Sequence, residues 1–599
     1  MNAATVGRQK LAASALRTAC LLASCLLTQR SLAADSPDIL IVGAGVAGLS
    51  AALEAAGAGF QVIVIDISTV GGGHAIVSNG AICLVNTPLQ QRRGIHDSIA
   101  LARKDFLQRG EDADPQWVDL YVQHSKAWIY AWLINLGVGF HDLGQPPGNS
   151  VPRLHFTTGK GWGLIGPLLR QCLRYPNIHF LWSTKVEKLL ISGGKVTGVV
   201  AVNLRTHEHH TFRGNNVILA TGGFGSNLEL IRKYWPADLP LPERILAGAS
   251  PSALGFGMEM ARDAGGVLSR LDHQWNYVLG LPDPDDRQGT RGLASFDARS
   301  IWVNREGKRF TPEFGDPKVN LAALLKQPNK TYWSVFDTDG VDSFSITLAG
   351  WEDKSEVNQL VFQTPGTVIR ANDIGQLARD AGIPGEALLK TVERFNGFVS
   401  QDNDEEFQTF GPNTASKPHR IEKAPFYAVQ FFPITRKTMG GVGVDLRCRV
   451  LNQTGAPIPG LFAAGEVTGF GGINGKAALE GTFLGPAIFM GRIAAQSATN
   501  RIRKTTRLKL RPPDRPLARA VFSNDACTQC HDLSKAVGEN RPGFWHFEHS
   551  HKKVLDRGYR CARCHQTFYP VNLKQHRLDQ MALTSTCGTC HGVQVSRAD

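Results

Sequence analysis

Residues 38–66 read DILIVGAGVAGLSAALEAAGAGFQVIVID, and no other stretch restricts the fold of this chain so tightly. An apolar run, a glycine-rich turn, a helix-length segment of small and apolar residues, a second apolar run and an acidic residue follow in that order. That is the layout of a βαβ unit. Gly43 falls where the chain must turn sharply, Gly45 where backbone must approach a pyrophosphate, and Gly48 where helix and strand must pack closely. Asp66 closes the second strand, where it can hold a ribose hydroxyl. A lone G-x-G-x-x-G is weak evidence. With strand, helix and acid in register around it, dinucleotide binding and an α/β fold become the expectation.

The other end of the chain makes a different demand. CTQCH, CARCH and CGTCH occupy 527–531, 561–565 and 587–591. The thiol pairs Cys527 and Cys530, Cys561 and Cys564, and Cys587 and Cys590 have the spacing that adds across the vinyl groups of a haem, and His531, His565 and His591 are then placed to ligate the iron. The alternative is zinc, since C-x-x-C pairs also build tetrahedral sulfur sites, but zinc does not need a histidine after every pair. Three electron-transfer haems ask for three further axial ligands. The tail offers His546, His549, His551 and His576, of which His546, His549 and His576 form the expected set and His551 is the spare. So short and polar a segment buries too little apolar surface to fold unaided, so the haems would serve as its core.

The formal charge of +13 would suggest nucleic acid were it spread over a face. It is not. Residues 1–34 hold Arg8, Lys10, Arg17 and Arg30 with no acid, and residues 500–520 hold eight basic residues against Asp514, so the excess belongs mostly to two short segments and no nucleic-acid partner is expected. Residues 1–34 have the basic start, apolar run and small-residue end of a secretory signal peptide, which places the chain in the periplasm. LASC at Leu22 to Cys25 also resembles a lipoprotein box, and only lipidation of Cys25 would tie the chain to a membrane. The segment RIRKTTRLKLRPPDRPLARA reads as a solvated linker, or as a docking strip for haem propionates or an acidic redox partner. Cys83, Cys172 and Cys448 read as buried small residues.

Further segments carry a family resemblance: GGGHAIVSNGAI (71–82), HFTTGKGWG (155–163), NVILATGGFGSN (216–227), WVNREGKRF (302–310), KTMGGVGVD (437–445) and PGLFAAGEVTGFGGINGKAALEGTFLGPAIFMGRIAA (459–495). Together they resemble the flavoprotein family of fumarate reductases, succinate dehydrogenases and ketosteroid dehydrogenases, and the tail resembles small multihaem cytochromes of the c7 and c3 type. The resemblance implies FAD, with Asp66 on the adenosine ribose. It implies further FAD contacts from Gly72, Gly73, Ser78, Asn79, Gly80, Thr221, Gly222, Gly465, Glu466, Phe483 and Leu484. His74 falls where membrane-bound members carry a histidine bonded to the flavin 8α-methyl, and soluble haem-bearing members carry a polar residue; covalent attachment and a noncovalent contact both stay open. One dinucleotide fingerprint leaves no second site for a nicotinamide cofactor.

The family's substrate residues are largely missing. Pro317, with Lys318 beside it, stands where the resemblance implies a proton-donating arginine, Arg436 and Lys437 stand for two histidines, and Ala478 for a substrate arginine. Fumarate is therefore not the expected substrate. Arg436 and Lys437 still bring two cations near the flavin, enough to hold one carboxylate or steady an enolate. With Glu480 and Lys318 they are the candidate catalytic residues. His155, His273, Trp162, Trp275 and Tyr277 are lesser candidates whose ordinary role would be structural.

The expected architecture is a Rossmann-like FAD domain (35–244 and 366–500) with an inserted α+β cap (245–365), preceded by the leader (1–34). A basic linker (501–520) and a small, mostly irregular or helical triheme domain (521–599) follow. The expected activity is an oxidoreductase acting on a CH–CH or C=C bond beside a carbonyl, as an ene-reductase of an unsaturated acid or enone served by a membrane-linked c-type cytochrome or quinol dehydrogenase. The alternatives are a flavin dehydrogenase passing electrons to its haems, and an electron carrier with no substrate of its own.

Overall fold

The structure, a computed structural model, describes residues 37–500 apart from 69, 285, 287, 298, 348–356, 365 and 412–417. The leader, Cys25, the basic linker, all six haem-attachment cysteines and the six histidines assigned to iron lie outside the described residues. Among the described residues, no helix is long and apolar enough to cross a membrane.

The strands Ile39–Val42, Val62–Ile65 and Asn216–Leu219 are almost wholly apolar, as strands covered on both faces must be. They form the middle of a six-stranded sheet in the order Arg449–Leu451, Pro457–Ala463, Asn216–Leu219, Ile39–Val42, Val62–Ile65, Ile178–Leu181, parallel except for the first. The helix Val46–Gly57 joins the first two strands of the chain and is buried along nearly all its length. Helix Leu484–Ala498 crosses it so closely that a Cβ on Gly491 would sit 2.2 Å from the Ala47 carbonyl oxygen. A hairpin of Thr184–Ser192 and Lys195–Asn203 turns on Gly193 and Gly194, both at positive φ as a tight primed turn requires.

The cap is an antiparallel sheet running Ile301–Val303, Tyr332–Phe336, Phe426–Thr438, Gln274–Pro282, Gly292–Phe296, Ser345–Thr347, with Val368–Ala371 also on Phe426–Thr438. The expected boundary at 365 is thus displaced. Residues 368–371 and 426–438 belong to the cap sheet, and helices Ile374–Ala381 and Gly385–Gln401 pack their apolar faces against it. The 13-residue strand Phe426–Thr438 is the link between cap and cofactor: its start lies in the cap and its last residues reach the cleft. Its pairing with Gln274–Pro282 shifts register between Trp275 and Asn276, a bulge of the kind that re-aims side chains beside a site.

Candidate active site

The first strand ends at Gly43, whose φ of +106° and near-contact with the Ala220 carbonyl forbid a side chain. Gly45 caps the helix that follows, while a Cβ on Gly48 would lie 1.9 Å from the Gly43 oxygen. Each glycine therefore serves a separate purpose. Gly43 and Gly48 allow backbone to touch backbone, whereas nothing stands within 4 Å of a Cβ built at Gly45, which faces the cleft. Gly72, at φ +121°, donates its N–H to the Ala44 carbonyl and folds the second glycine turn across the first.

Asp66 accepts hydrogen bonds from the Ala44 amide at 2.5 Å and the Ser68 amide at 2.7 Å, while burial raises its pKa. Around these turns lies a cleft of about 1110 Å³, counting its open mouth. Gly43, Gly45, Asp66, Gly72, Gly73 and His74 line it from the first βαβ unit, and Thr221, Gly222, Glu466, Phe483 and Leu484 from the far side. Gly48 lies beneath it. Ser78 closes a turn by donating to the Ala75 carbonyl and accepting from the Gly80 amide; Asn79 is exposed, and Gly465, at φ +81°, begins the turn that carries Glu466.

FAD fits this surface. Thr221 is part of the cleft lining, its hydroxyl oxygen buried with no partner among the described residues, and Gly45 and Gly222 leave open the space a side chain would fill. The helix N-terminus at Gly45 and Val46 supplies amide donors and positive potential for a pyrophosphate.

Beyond the glycine turns the cleft is bounded by charged side chains. Lys437 Nζ lies 2.9 Å from His74 Nδ1, and Arg436 Nη1 lies 3.3 Å from His74 Nε2 and donates to the Gly248 carbonyl at 3.1 Å. Burial pushes the Lys437 ammonium down to about 8, opposed by Glu466 and reinforced by Arg436. Arg436 is lowered too, by burial, and its Nε is buried without a partner among the described residues. The Arg436 guanidinium lies 5.7 Å from the centre of the Tyr277 ring. Tyr277 donates its hydroxyl to Glu480 at 2.6 Å, and the Trp275 indole donates to the same carboxylate oxygen at 2.9 Å. Burial and Glu480 together hold the Tyr277 phenol well above its ordinary pKa.

Of the four expected catalytic residues, Lys437 lines the cleft, and Arg436 and Glu480 adjoin it through His74 and Tyr277. Lys318 does not. It stands at the start of helix Pro317–Leu325, capped by Asp316, and its ammonium is turned to the surface on Glu111, outside the cleft lining. His155 is fully buried between the Thr87 hydroxyl and the Arg153 carbonyl, and burial pushes it down to about 4, so it is a neutral structural residue. His273 is flanked by Asp112 and Asp272. Trp162 packs at the edge of the main core.

Arg109 is a residue that sequence reasoning does not single out. Its guanidinium grips Asp316 with two bonds, donates to the Ala478 carbonyl and lies 5.7 Å from the Trp275 ring. It joins helix Ile99–Gly110 to the cap across the seam of the site. No motif surrounds Arg109, and only its contacts in the folded chain reveal it.

The pattern defining the family described as FAD binding domain matches residues 38–484. The chain is 32% identical over 546 residues to a KsdD-like steroid dehydrogenase of Mycobacterium tuberculosis, covering 78% of this chain and 96% of that protein. It is 33% identical over 439 residues to a urocanate reductase of Eggerthella lenta, covering 72% of this chain and 70% of that one. Among solved structures, the open conformation of a flavocytochrome c3 fumarate reductase matches with a TM-score of 0.64 and 28% identity, covering 80% of this chain and 81% of the other.

Proposed function

From the premise that this chain belongs to the family of FAD binding domains, we propose that it is an exported flavocytochrome c acting on a carbon–carbon bond beside a carbonyl. It is an FAD-dependent oxidoreductase of the fumarate reductase and ketosteroid dehydrogenase family. In the preferred direction it reduces the C=C bond of an unsaturated acid or enone other than fumarate.

The observation that carries this reading is the pair Arg436 and Lys437, bridged by His74, facing an aromatic and carboxylate wall of Trp275, Tyr277 and Glu480. Two adjacent cations suit one carboxylate or one carbonyl oxygen. At the two further positions where a clamp on a second carboxylate is expected, Ala478 is a buried small residue and Pro317 opens a helix. A urocanate reductase among the relatives supports an unsaturated acid of that kind.

Bound FAD supplies a hydride donor and acceptor; the protein's own groups hold the substrate and manage its proton. The three C-x-x-C-H motifs supply c-type haems, and electrons arrive in the periplasm from a membrane-linked c-type cytochrome or quinol dehydrogenase. The second reading reverses the flow, with a saturated ketone dehydrogenated and electrons passed to the haems. It is favoured by the likeness to a steroid dehydrogenase over 96% of that protein's length.

The deciding experiment is anaerobic. The holoprotein is fully reduced, and the haem absorption is followed while unsaturated acids and enones, fumarate included, are added. Reoxidation by a compound other than fumarate supports the ene-reductase. If no compound reoxidises the haems, the reductase reading is wrong, and the oxidised protein is to be tested for dehydrogenation.

A further inference from the structure

We infer that Lys437 exchanges the proton with the substrate carbon next to the carbonyl, and that Arg436 and His74 bring its ammonium and its neutral amine within reach of each other; this rests on the redox reading of the cleft above. Arg436 sets the order of donors and acceptors. A guanidinium has five N–H groups and no acceptor. With one Nη1 hydrogen on the Gly248 carbonyl and the other toward His74 Nε2 at 3.3 Å, Nε2 is assigned the lone pair. A neutral imidazole then carries its proton on Nδ1, and Nδ1 lies 2.9 Å from Lys437 Nζ. A neutral amine accepts that proton, so the N–H groups that point along the chain from Arg436 Nη1 through His74 to Lys437 each meet a lone pair, while Arg436 Nε stays outside it. An ammonium at Lys437, or an imidazolium at His74, sets two donors face to face.

The surroundings agree. Lys437 lines the cleft, with the Phe483 ring 5.9 Å from Nζ. Facing it are His74 from the turn Gly73–Val77, Glu466 from the turn Gly465–Val467, Glu480 from the loop before helix Leu484–Ala498, and Arg436 from its own strand. Burial and Arg436 lower its pKa to about 8, while the two glutamates oppose them.

Rival groups are engaged elsewhere. Tyr277 donates its hydroxyl to Glu480 in a short hydrogen bond, and Lys318 faces solvent on Glu111. In the oxidative direction a C–H bond beside the carbonyl breaks and an N–H bond forms on Nζ. The electron pair left behind becomes the C=C bond as hydride leaves the neighbouring carbon for FAD. In the reductive direction the Lys437 ammonium returns the proton to the same carbon.

The test reads the resting protein as well as turnover. Oxidised holoprotein is titrated between about pH 6 and 10, and the spectrum of Lys437→Gln at each pH is subtracted so that the haem bands cancel. A flavin transition with its midpoint near 8 is expected in the difference. In His74→Phe the midpoint moves upward, because the donor that stabilises the neutral amine is gone. Lys437→Arg, charged throughout this range, retains FAD and loses turnover by about 10²–10⁴-fold. The inference is overturned if the difference shows no transition, if His74→Phe leaves the midpoint in place or lowers it, or if Lys437→Arg turns over normally. If no compound is turned over by the native protein, the reading of the reaction fails, while the titration still decides the state of Lys437.

Discussion

Where the cleft receives the dinucleotide it is walled by backbone, at Gly43, Gly45, Gly72 and Gly222, whereas its reactive end presents the side chains of His74 and Lys437, with Arg436, Tyr277 and Glu480 joined to them through contacts with His74 and with one another. The first wall comes mainly from one continuous unit with a turn after a neighbouring strand, and its geometry is enforced by close backbone contact. The second is assembled from four segments far apart in sequence, held by hydrogen bonds among groups whose protonation depends on one another. A backbone wall tolerates almost no change and is indifferent to pH. A side-chain wall can be retuned residue by residue, which is how a single fold can serve different substrates.

The sharpest way to break this contrast is to substitute within the glycine wall. Gly48→Val should abolish folded holoprotein, because even its Cβ would lie 1.9 Å from the Gly43 oxygen. Gly45→Ala should leave the thermal unfolding of the flavin-free protein unchanged while reducing flavin content, because its Cβ meets no protein atom within 4 Å. Calorimetry and flavin content after purification would check both. Equal effects at the two positions would mean that the cradle is not shaped around a ligand.

The difference in construction also explains what was legible in the sequence. The run 38–66 announced its strand, turn, helix and acid because each depends on local residue type, and the structure places Gly43, Gly45 and Asp66 together on the cleft. The reactive end was legible only as scattered candidates. Nothing local says that Phe426–Thr438 is shared between cap and cleft, or that Val368–Ala371 pairs with it in the cap sheet. Lys318 was misplaced for a related reason: Asp316 and Pro317 begin a helix there, and its first turn aims the lysine outward. The pairing of Tyr277 with Glu480, 203 residues away, required the fold itself.

Within the reactive end, Tyr277→Phe removes the hydroxyl that donates to Glu480 but leaves the Trp275 indole in place. Its stability should fall by about 1 kcal/mol in chemical denaturation, with flavin content unchanged. A loss of flavin instead would move Tyr277 into the cofactor wall and blur the division between the two ends. Smaller still is the effect expected of Lys318→Ala. An exposed ion pair contributes about 0–1 kcal/mol, so turnover should stay within about twofold of the native rate. A large loss would return Lys318 to the site.

The smallest expected effect is none at all, and it concerns His74, where the two walls meet. A bond from histidine to the flavin methyl would consume the lone pair of one ring nitrogen. In the structure Nε2 faces Arg436 and Nδ1 faces Lys437, so each nitrogen is already engaged by the protein. The peptide carrying His74 should therefore show no flavin adduct by mass spectrometry, and denaturation should release all the FAD. An adduct would reach beyond the cofactor. Were it at Nε2, Arg436 would lose its acceptor; were it at Nδ1, Lys437 would lose the donor that keeps its amine neutral. In the second case Lys437 would keep its proton to higher pH, a fixed cation for the substrate rather than a proton carrier, and the reactive wall would be as rigid in its charges as the glycine wall is in its backbone.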